Sequence, residues 1–168
     1  MSRPARVALA LGVSGFVLFL DSVSKAWAES ALPGGARVLV PDVLELTYAE
    51  NPGVAFSMFA EAPSLVRLGI LPALALSAAL LFFWHATGAR GSVVARIGAA
   101  LVVGGALGNL LDRLRLGYVI DFVHAHAGTQ LDYPVFNVAD IAVFVGIAAL
   151  LVDASRRRAR QPAPQDAS

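Results

Sequence analysis

Cysteine is absent from the 168 residues. That excludes disulfides, a cysteine nucleophile, thiolate zinc ligation and lipid attachment to a cysteine of this chain. Charge is scarce as well. Asp, Glu, Lys and Arg make up 15% of the chain, where a soluble domain carries about 25%. Too little polar surface remains to wet a globule. The net charge of +1 and the lack of a basic stripe interleaved with aromatics argue against a nucleic-acid partner. The helical His-Glu-x-x-His zinc signature is also missing. What the chain has instead is apolar bulk: 57% hydrophobic residues and a mean hydropathy of +0.68. This is the composition of a polytopic membrane protein.

A spanning helix needs about 20 mostly apolar residues. Four stretches meet or approach that length: Val7–Trp27, Ser64–Trp84, Ser92–Leu111 and Phe136–Val152. The fourth opens on Asn137 and Asp140, so its first turn is expected at the membrane interface. Basic residues set the direction of insertion. Arg3, Arg6, Arg90, Arg96 and Arg156, Arg157, Arg158 and Arg160 all fall on one side if the spans alternate. Lys25, Arg37, Arg67, Arg113 and Arg115 fall on the other. Both termini are therefore expected in the cytoplasm, with the first and third connections outside. Arg3, Arg6, the apolar run to Leu20 and Ala26-Trp27-Ala28 also mimic a cleavable signal peptide, but Asp21 and Lys25 interrupt the approach to the cut. Residues 1–160 read as one integral membrane domain, and 161–168 as a disordered tail.

The first outward connection has structure of its own. Arg37-Val-Leu-Val-Pro and Val43-Leu-Glu-Leu-Thr-Tyr48 alternate in part, which predicts short strands on the membrane surface. Asn51-Pro52-Gly53 predicts a tight turn, and Val54–Phe59 a further short strand. The expected architecture is an all-α bundle of four transmembrane helices with a small β element on the extracytoplasmic side.

Polar residues crowd toward that side. Asp121 lies just before the fourth span and Asp140 a turn inside it. A carboxylate near hydrocarbon costs about 2.5–3.5 kcal/mol. Two that meet cannot both ionise cheaply, so they suggest shared-proton chemistry and an aspartyl peptidase. Asn109 and Asp112, with Arg113 next, share a helix face at the end of the third span, and Asn137 and Asp140 repeat the spacing. Helix capping by Asn137 and a surface ion pair of Asp112 with Arg113 are the simpler explanation for Asn109–Arg113, but not for Asp140, which lies a turn inside the helix and needs a partner in a dry setting. Gly104 and Gly108, with Gly105 between, read as a close helix contact. Asp21 and Lys25 read as an i, i+4 ion pair, the lysine reaching to the interface. Three further readings stay open. Ser22 or Ser24 with Lys25 could form a Ser–Lys dyad. Asp121, His124 and His126 could hold a metal. Asp140, Asp121 and Lys25 could form the ion relay of a small transporter or channel.

Five segments together resemble the lipoprotein signal peptidase family (signal peptidase II, prolipoprotein signal peptidase). They are Asp21-Ser-Val-Ser-Lys25, Asn51-Pro-Gly-Val-Ala-Phe56, Gly104-Gly-Ala-Leu-Gly-Asn109-Leu-Leu-Asp112-Arg113, Val119-Ile-Asp121-Phe122 and Tyr133-Pro-Val-Phe-Asn137-Val-Ala-Asp140. The resemblance implies Asp121 and Asp140 as the catalytic dyad. It implies that Asp21, Lys25, Asn51, Gly53, Gly105, Asn109, Arg113 and Asn137 line or support the site. It further implies a metal-free, cofactor-free endopeptidase of the bacterial cytoplasmic (inner) membrane, with its active site at the outer face. Such enzymes cut diacylglyceryl-modified prolipoproteins before the lipid-bearing cysteine, meeting substrate among membrane lipids, and keep their first span. Ile141 departs from the family, which often has a small polar residue there.

Overall fold

The computed structural model describes residues 1–53, 61–89, 91–127 and 131–159. The expected strand at Val54–Phe59 and the expected tail at 161–168 lie outside them. Among the described residues, four helices are long and apolar enough to cross a membrane: α1 (Arg3–Ala31), α2 (Leu71–Thr87, entered through a π-helical stretch, Leu65–Ile70), α3 (Val93–Leu116) and α4 (Val138–Ala159). The π-helical stretch ends beside Pro72, whose ring would clash with the carbonyl four residues back in a regular helix.

The helix α3 is the hub. Most of its apolar stretch is buried, whereas the other three leave most of theirs exposed, as lipid-facing helices do. Glycine makes the hub possible. A Cβ at Gly104 would meet Val17 and the Ser14 carbonyl of α1, and one at Gly105 the Ala139 carbonyl of α4. A Cβ at Gly98 would lie 2.8 Å from the Gly146 carbonyl. The close contact expected from the glycine spacing is therefore made on two sides of one helix.

α3 runs to Leu116, beyond the expected Leu111, so Asp112 and Arg113 sit on regular helix. Gly117 then ends it in the left-handed region, φ 84°, with its N–H donated to the Arg113 carbonyl. That turn launches a strand absent from the expected pattern, β3 (Val119–Ala127). Its first four residues are buried, so the alternation that marks a half-exposed strand is lost. β3 pairs antiparallel with β2 (Leu44–Asn51), β2 with β1 (Arg37–Val40), and the two-residue β4 (Leu131–Asp132) joins the other edge of β3. β2 thus extends past Tyr48 to the Asn51 turn. Phe122 packs on Ala28 and Leu32 at the end of α1, seating the sheet on the bundle. Ala28, the mimic of a cleavage point, is fully buried there.

Two arginines counted for insertion direction also have structural work. Arg96 is 5% exposed and donates to the carbonyls of Ala86 in the last turn of α2 and of Gly88, Ala89 and Gly91 beyond it. Arg6 donates to the Thr87 carbonyl at 3.0 Å. Both positive charges meet the negative end of α2. Replacing Arg96 by Ala leaves buried carbonyls without donors, and is expected to cost about 3 kcal/mol. A fall in the thermal midpoint of detergent-solubilised protein would register it, and an unchanged midpoint would contradict it.

Candidate active site

The N-terminus of α4, the C-terminal turns of α3, the C-terminal part of α1 and the strand β3 converge at one end of the bundle. β3 alternates there. Asp121 and Val119 turn toward α4, while Phe122 turns toward α1. Asp121 is 3% exposed. Asp140 lies in the first turn of α4. Both carboxyls line one cleft of about 390 Å³, with Asn51, Asn109 and Arg113 on its polar side. Tyr133, Phe136, Val143, Phe144 and Ile147 form its apolar side.

Asparagine amides hold both carboxyls. Asn137 donates from Nδ2 to Asp121 Oδ1 at 2.6 Å, and its backbone N–H reaches Asp140 Oδ2 at 3.2 Å. Its Oδ1 accepts the Asp140 N–H at 3.0 Å, so it also caps α4 as the spacing suggests. Asn109 Nδ2 donates to Asp140 Oδ1 at 2.9 Å. Asn51 Nδ2 donates to Asp121 Oδ2 at 3.0 Å, and its Oδ1 accepts the Gly53 N–H at 3.0 Å. The turn at Asn51-Pro52-Gly53 thereby fixes which end of the amide faces the carboxyl. Burial pushes the Asp121 carboxyl up to about 6, and the charge of Asp140 adds to the rise. Hydrogen bonds from Asn51 and Asn137 act against it.

Beneath this layer lies a dry ion cluster. Lys25 Nζ is 2.8 Å from Asp21 Oδ2, 2.8 Å from Asp112 Oδ2 and 2.8 Å from Asn109 Oδ1. Lys25 is 2% exposed, so it does not reach out to the interface as expected. Nor is it the base of a Ser–Lys dyad: three oxygens surround its nitrogen, and Ser24 donates to the Asp21 carbonyl instead. Asp21 Oδ1 accepts the Ala139 N–H at 2.9 Å, a second cap on α4. Gly108 leaves room for that carboxylate, which a Cβ would strike.

Asp112 corrects another expectation. It is 7% exposed and accepts the Ile120 N–H at 3.2 Å, so it makes no surface pair with Arg113. The i, i+3 spacing to Asn109 marked it, but only the length of α3 shows that it points inward. Arg113 donates to its own helix at Asn109 and to the Gly53 carbonyl, tethering the Asn51 turn to α3. Gly105 acts through the backbone contact with Ala139. Ile141 is 46% exposed and lines an apolar recess together with Asp140, Tyr133, Phe136 and Phe144, so its departure from the family falls on the surface beside Asp140. The proposed grouping of Asp121 with His124 and His126 fails, because alternation puts the histidines on the opposite face, beside Glu45.

Known proteins resemble this chain in sequence and in fold. The family model described as signal peptidase (SPase) II matches residues 13–156. A lipoprotein signal peptidase of Pseudomonas fluorescens is 43% identical over 145 residues, 85% of each chain. One of Acinetobacter baumannii is 36% identical over 157 residues, 94% of this chain and 89% of that protein. Two solved structures, both described as bacterial membrane enzymes, share the fold. One has a TM-score of 0.77 at 20% identity, covering 95% of this chain and 94% of the other. The second has 0.68 at 25% identity, covering 85% and 90%.

Removing the ammonium from the ion cluster leaves two buried carboxylates facing each other. Lys25→Met is expected to destabilise the protein by about 3–5 kcal/mol. Adding Asp112→Asn should restore part of that loss, because one repelling charge is gone. Thermal melts of the two variants in one detergent measure both effects. A double variant no more stable than the single would contradict the electrostatic origin.

Proposed function

Because the chain belongs to the signal peptidase II family, we propose that it removes signal peptides from diacylglyceryl-modified prolipoproteins, cutting before the lipid-bearing cysteine, with Asp121 and Asp140 as an aspartyl dyad. The observation that carries this reading is a shared residue: Asn137 donates its side-chain NH₂ to Asp121 and its backbone N–H to the Asp140 carboxyl, at the edge of one cleft. The chemistry follows from the environments. Asp121, whose carboxyl is raised to about 6, is assigned the proton the pair shares, and Asp140 the part of the base. Asp140 takes a proton from a water placed between the two carboxyls, and that water attacks the scissile carbonyl. Asp121 donates to the carbonyl oxygen as it becomes tetrahedral. The roles reverse as the C–N bond breaks, the departing amine taking a proton. Neither step calls on a metal or cofactor.

Charge bookkeeping supports the shared proton. The cluster gathers four carboxyls, Asp21, Asp112, Asp121 and Asp140, around two cations, Lys25 and Arg113. Full ionisation would leave two uncompensated negative charges in a poorly solvated place, and one bound proton halves that excess. The positive end of α4 favours the remaining negative charge.

The cleft also suits a lipid-bearing substrate. From the carboxyls its wall continues down α4 through Val143, Phe144 and Ile147, and Phe144 is 75% exposed on the face that lipid would cover. Acyl chains lying along that wall would hold the neighbouring peptide bond at the depth of the dyad. Arg3, Arg6, Arg156, Arg157 and Arg158 all lie at the far end of the bundle, which supports a dyad on the extracytoplasmic side. The relay reading is weaker, since among the described residues the buried charged groups Asp21, Lys25, Asp112 and Asp121 gather at the dyad's end, and Ser14, bonded to the Ala100 carbonyl on the way to Arg96, carries no charge.

Two measurements on purified protein test the reading. A diacylglyceryl-modified precursor is expected to be cut before its modified cysteine. The unmodified precursor should have a kcat/KM lower by about a hundredfold or more, since each buried CH₂ adds about 0.8 kcal/mol of anchoring. Equal values in the same lipid would contradict the substrate assignment. The second measurement is the pH profile. Asp121 is raised from its ordinary value to about 6, so it keeps its proton below that pH and loses it above. The kcat/KM of the free enzyme should therefore decline as pH rises through about 6. In kcat the decline should come at higher pH, because bound peptide excludes water from the cleft. A kcat/KM flat from about pH 5 to about pH 8 would contradict Asp121 as the proton holder.

A further inference from the structure

The sequence His124-Ala125-His126 is not used by the chemistry above. Both imidazoles lie on the face of β3 turned away from Asp121, over the edge of β2. Glu45, in register with His124 across the sheet, completes a group of three: one ligand atom from each lies within 4.8 Å of the others. His124 Nδ1 is 2.9 Å from Glu45 Oε1, and His124 Nε2 is 2.6 Å from Asp132 Oδ1. The two rings stand 5.1 Å apart at 35°. Among the described residues, no hydrogen bond engages either ring nitrogen of His126.

We propose that Glu45, His124 and His126 bind a divalent transition-metal cation, of which Zn²⁺ is the representative. The three donors stand together on one face of the sheet. An imidazolium at His124 donates one N–H to each of Glu45 and Asp132, whereas a neutral ring satisfies one carboxylate and leaves its other nitrogen for a cation. If His124 donates from Nε2 to Asp132, its Nδ1 lone pair faces the Glu45 carboxylate across 2.9 Å. A cation between them turns that repulsion into coordination, and the free nitrogen of His126 supplies a third donor. Asp132 then takes the place of the carboxylate that commonly orients a metal-bound histidine. Two imidazoles and one carboxylate suit Zn²⁺, Cu²⁺ or Ni²⁺ and not Mg²⁺ or Ca²⁺. The Glu45 and His124 donor atoms, 2.9 Å apart, are already close enough for ligand bonds of about 2.0–2.2 Å, and rotation of the His126 side chain brings in the third donor.

The site is separate from the dyad, but it ties β2, β3 and β4 together. Asp132 ends β4, and Tyr133 to Phe136 follow directly as part of the cleft wall. A bound cation would stiffen that wall without touching the reacting atoms.

The test uses the full-length protein in detergent, purified without a histidine tag and stripped of metal. Titration with Zn²⁺ by calorimetry is expected to show one saturable site and a raised thermal midpoint, with Mg²⁺ giving neither. Co²⁺ should give the visible absorption of a four-coordinate nitrogen–oxygen site. His126→Gln and Glu45→Gln should each weaken Zn²⁺ binding by at least about tenfold. Their midpoints without metal should stay at the wild-type value. Asp121→Asn and Asp140→Asn should leave Zn²⁺ binding unchanged. Absence of saturable binding, binding indifferent to both His126→Gln and Glu45→Gln, or binding lost with Asp121→Asn would each overturn the proposal.

Discussion

The ammonium of Lys25 is the point on which the rest of this end of the molecule depends. A lysine 2% exposed in a membrane bundle must find its counter-charges within the protein. It finds them on two helices, Asp21 on its own turn of α1 and Asp112 on α3. Its third partner, Asn109, transmits this arrangement upward. An amide has a donor end and an acceptor end, and Lys25 claims the acceptor. Asn109 must therefore present its NH₂ to Asp140. The same logic repeats at Asn51, where the Gly53 N–H claims the oxygen and the NH₂ turns to Asp121. The carboxyls are thus positioned by neighbours whose own orientation is already decided.

Backbone geometry makes room for this network. Gly105 lets α3 approach the first turn of α4, and Gly108 leaves space for Asp21 to reach the Ala139 N–H. The N-terminus of α4 consequently receives Asp21, Asn137 and Asp140 together. A helix start that gathers carboxylates in a poorly solvated place uses the positive end of its dipole to offset their burial. Cavity, caps and ion cluster are one construction, so a change in any member should be felt by the others.

Much of this was legible in the sequence because the signals were local. Four apolar runs gave four helices, the Asn51-Pro52-Gly53 turn lies at the end of β2, and Asp21 and Lys25 pair as their spacing suggests. Other features depended on the third dimension. β3 was hidden because Val119, Ile120, Asp121 and Phe122 are all buried, which erases alternation. Asp112 looked like a surface residue because Leu111 closes the apolar run, yet α3 continues and turns it toward Lys25. The histidines were grouped with Asp121 by nearness in sequence, whereas strand pleating separates them. Spacing can say which residues share an element's face. It cannot say which face the rest of the protein covers.

The central claim is that Asp121 and Asp140 work as one unit sharing a proton. Cleavage of a diacylated precursor by Asp121→Asn, by Asp140→Asn and by the double variant tests it most directly, with circular dichroism and thermal melts to verify folding. Each single substitution is expected to lower kcat by at least about a thousandfold, and the double variant to be no worse than either, because a unit is lost once. Activity within about tenfold of wild type in either folded single variant, or losses that multiply in the double, would contradict it.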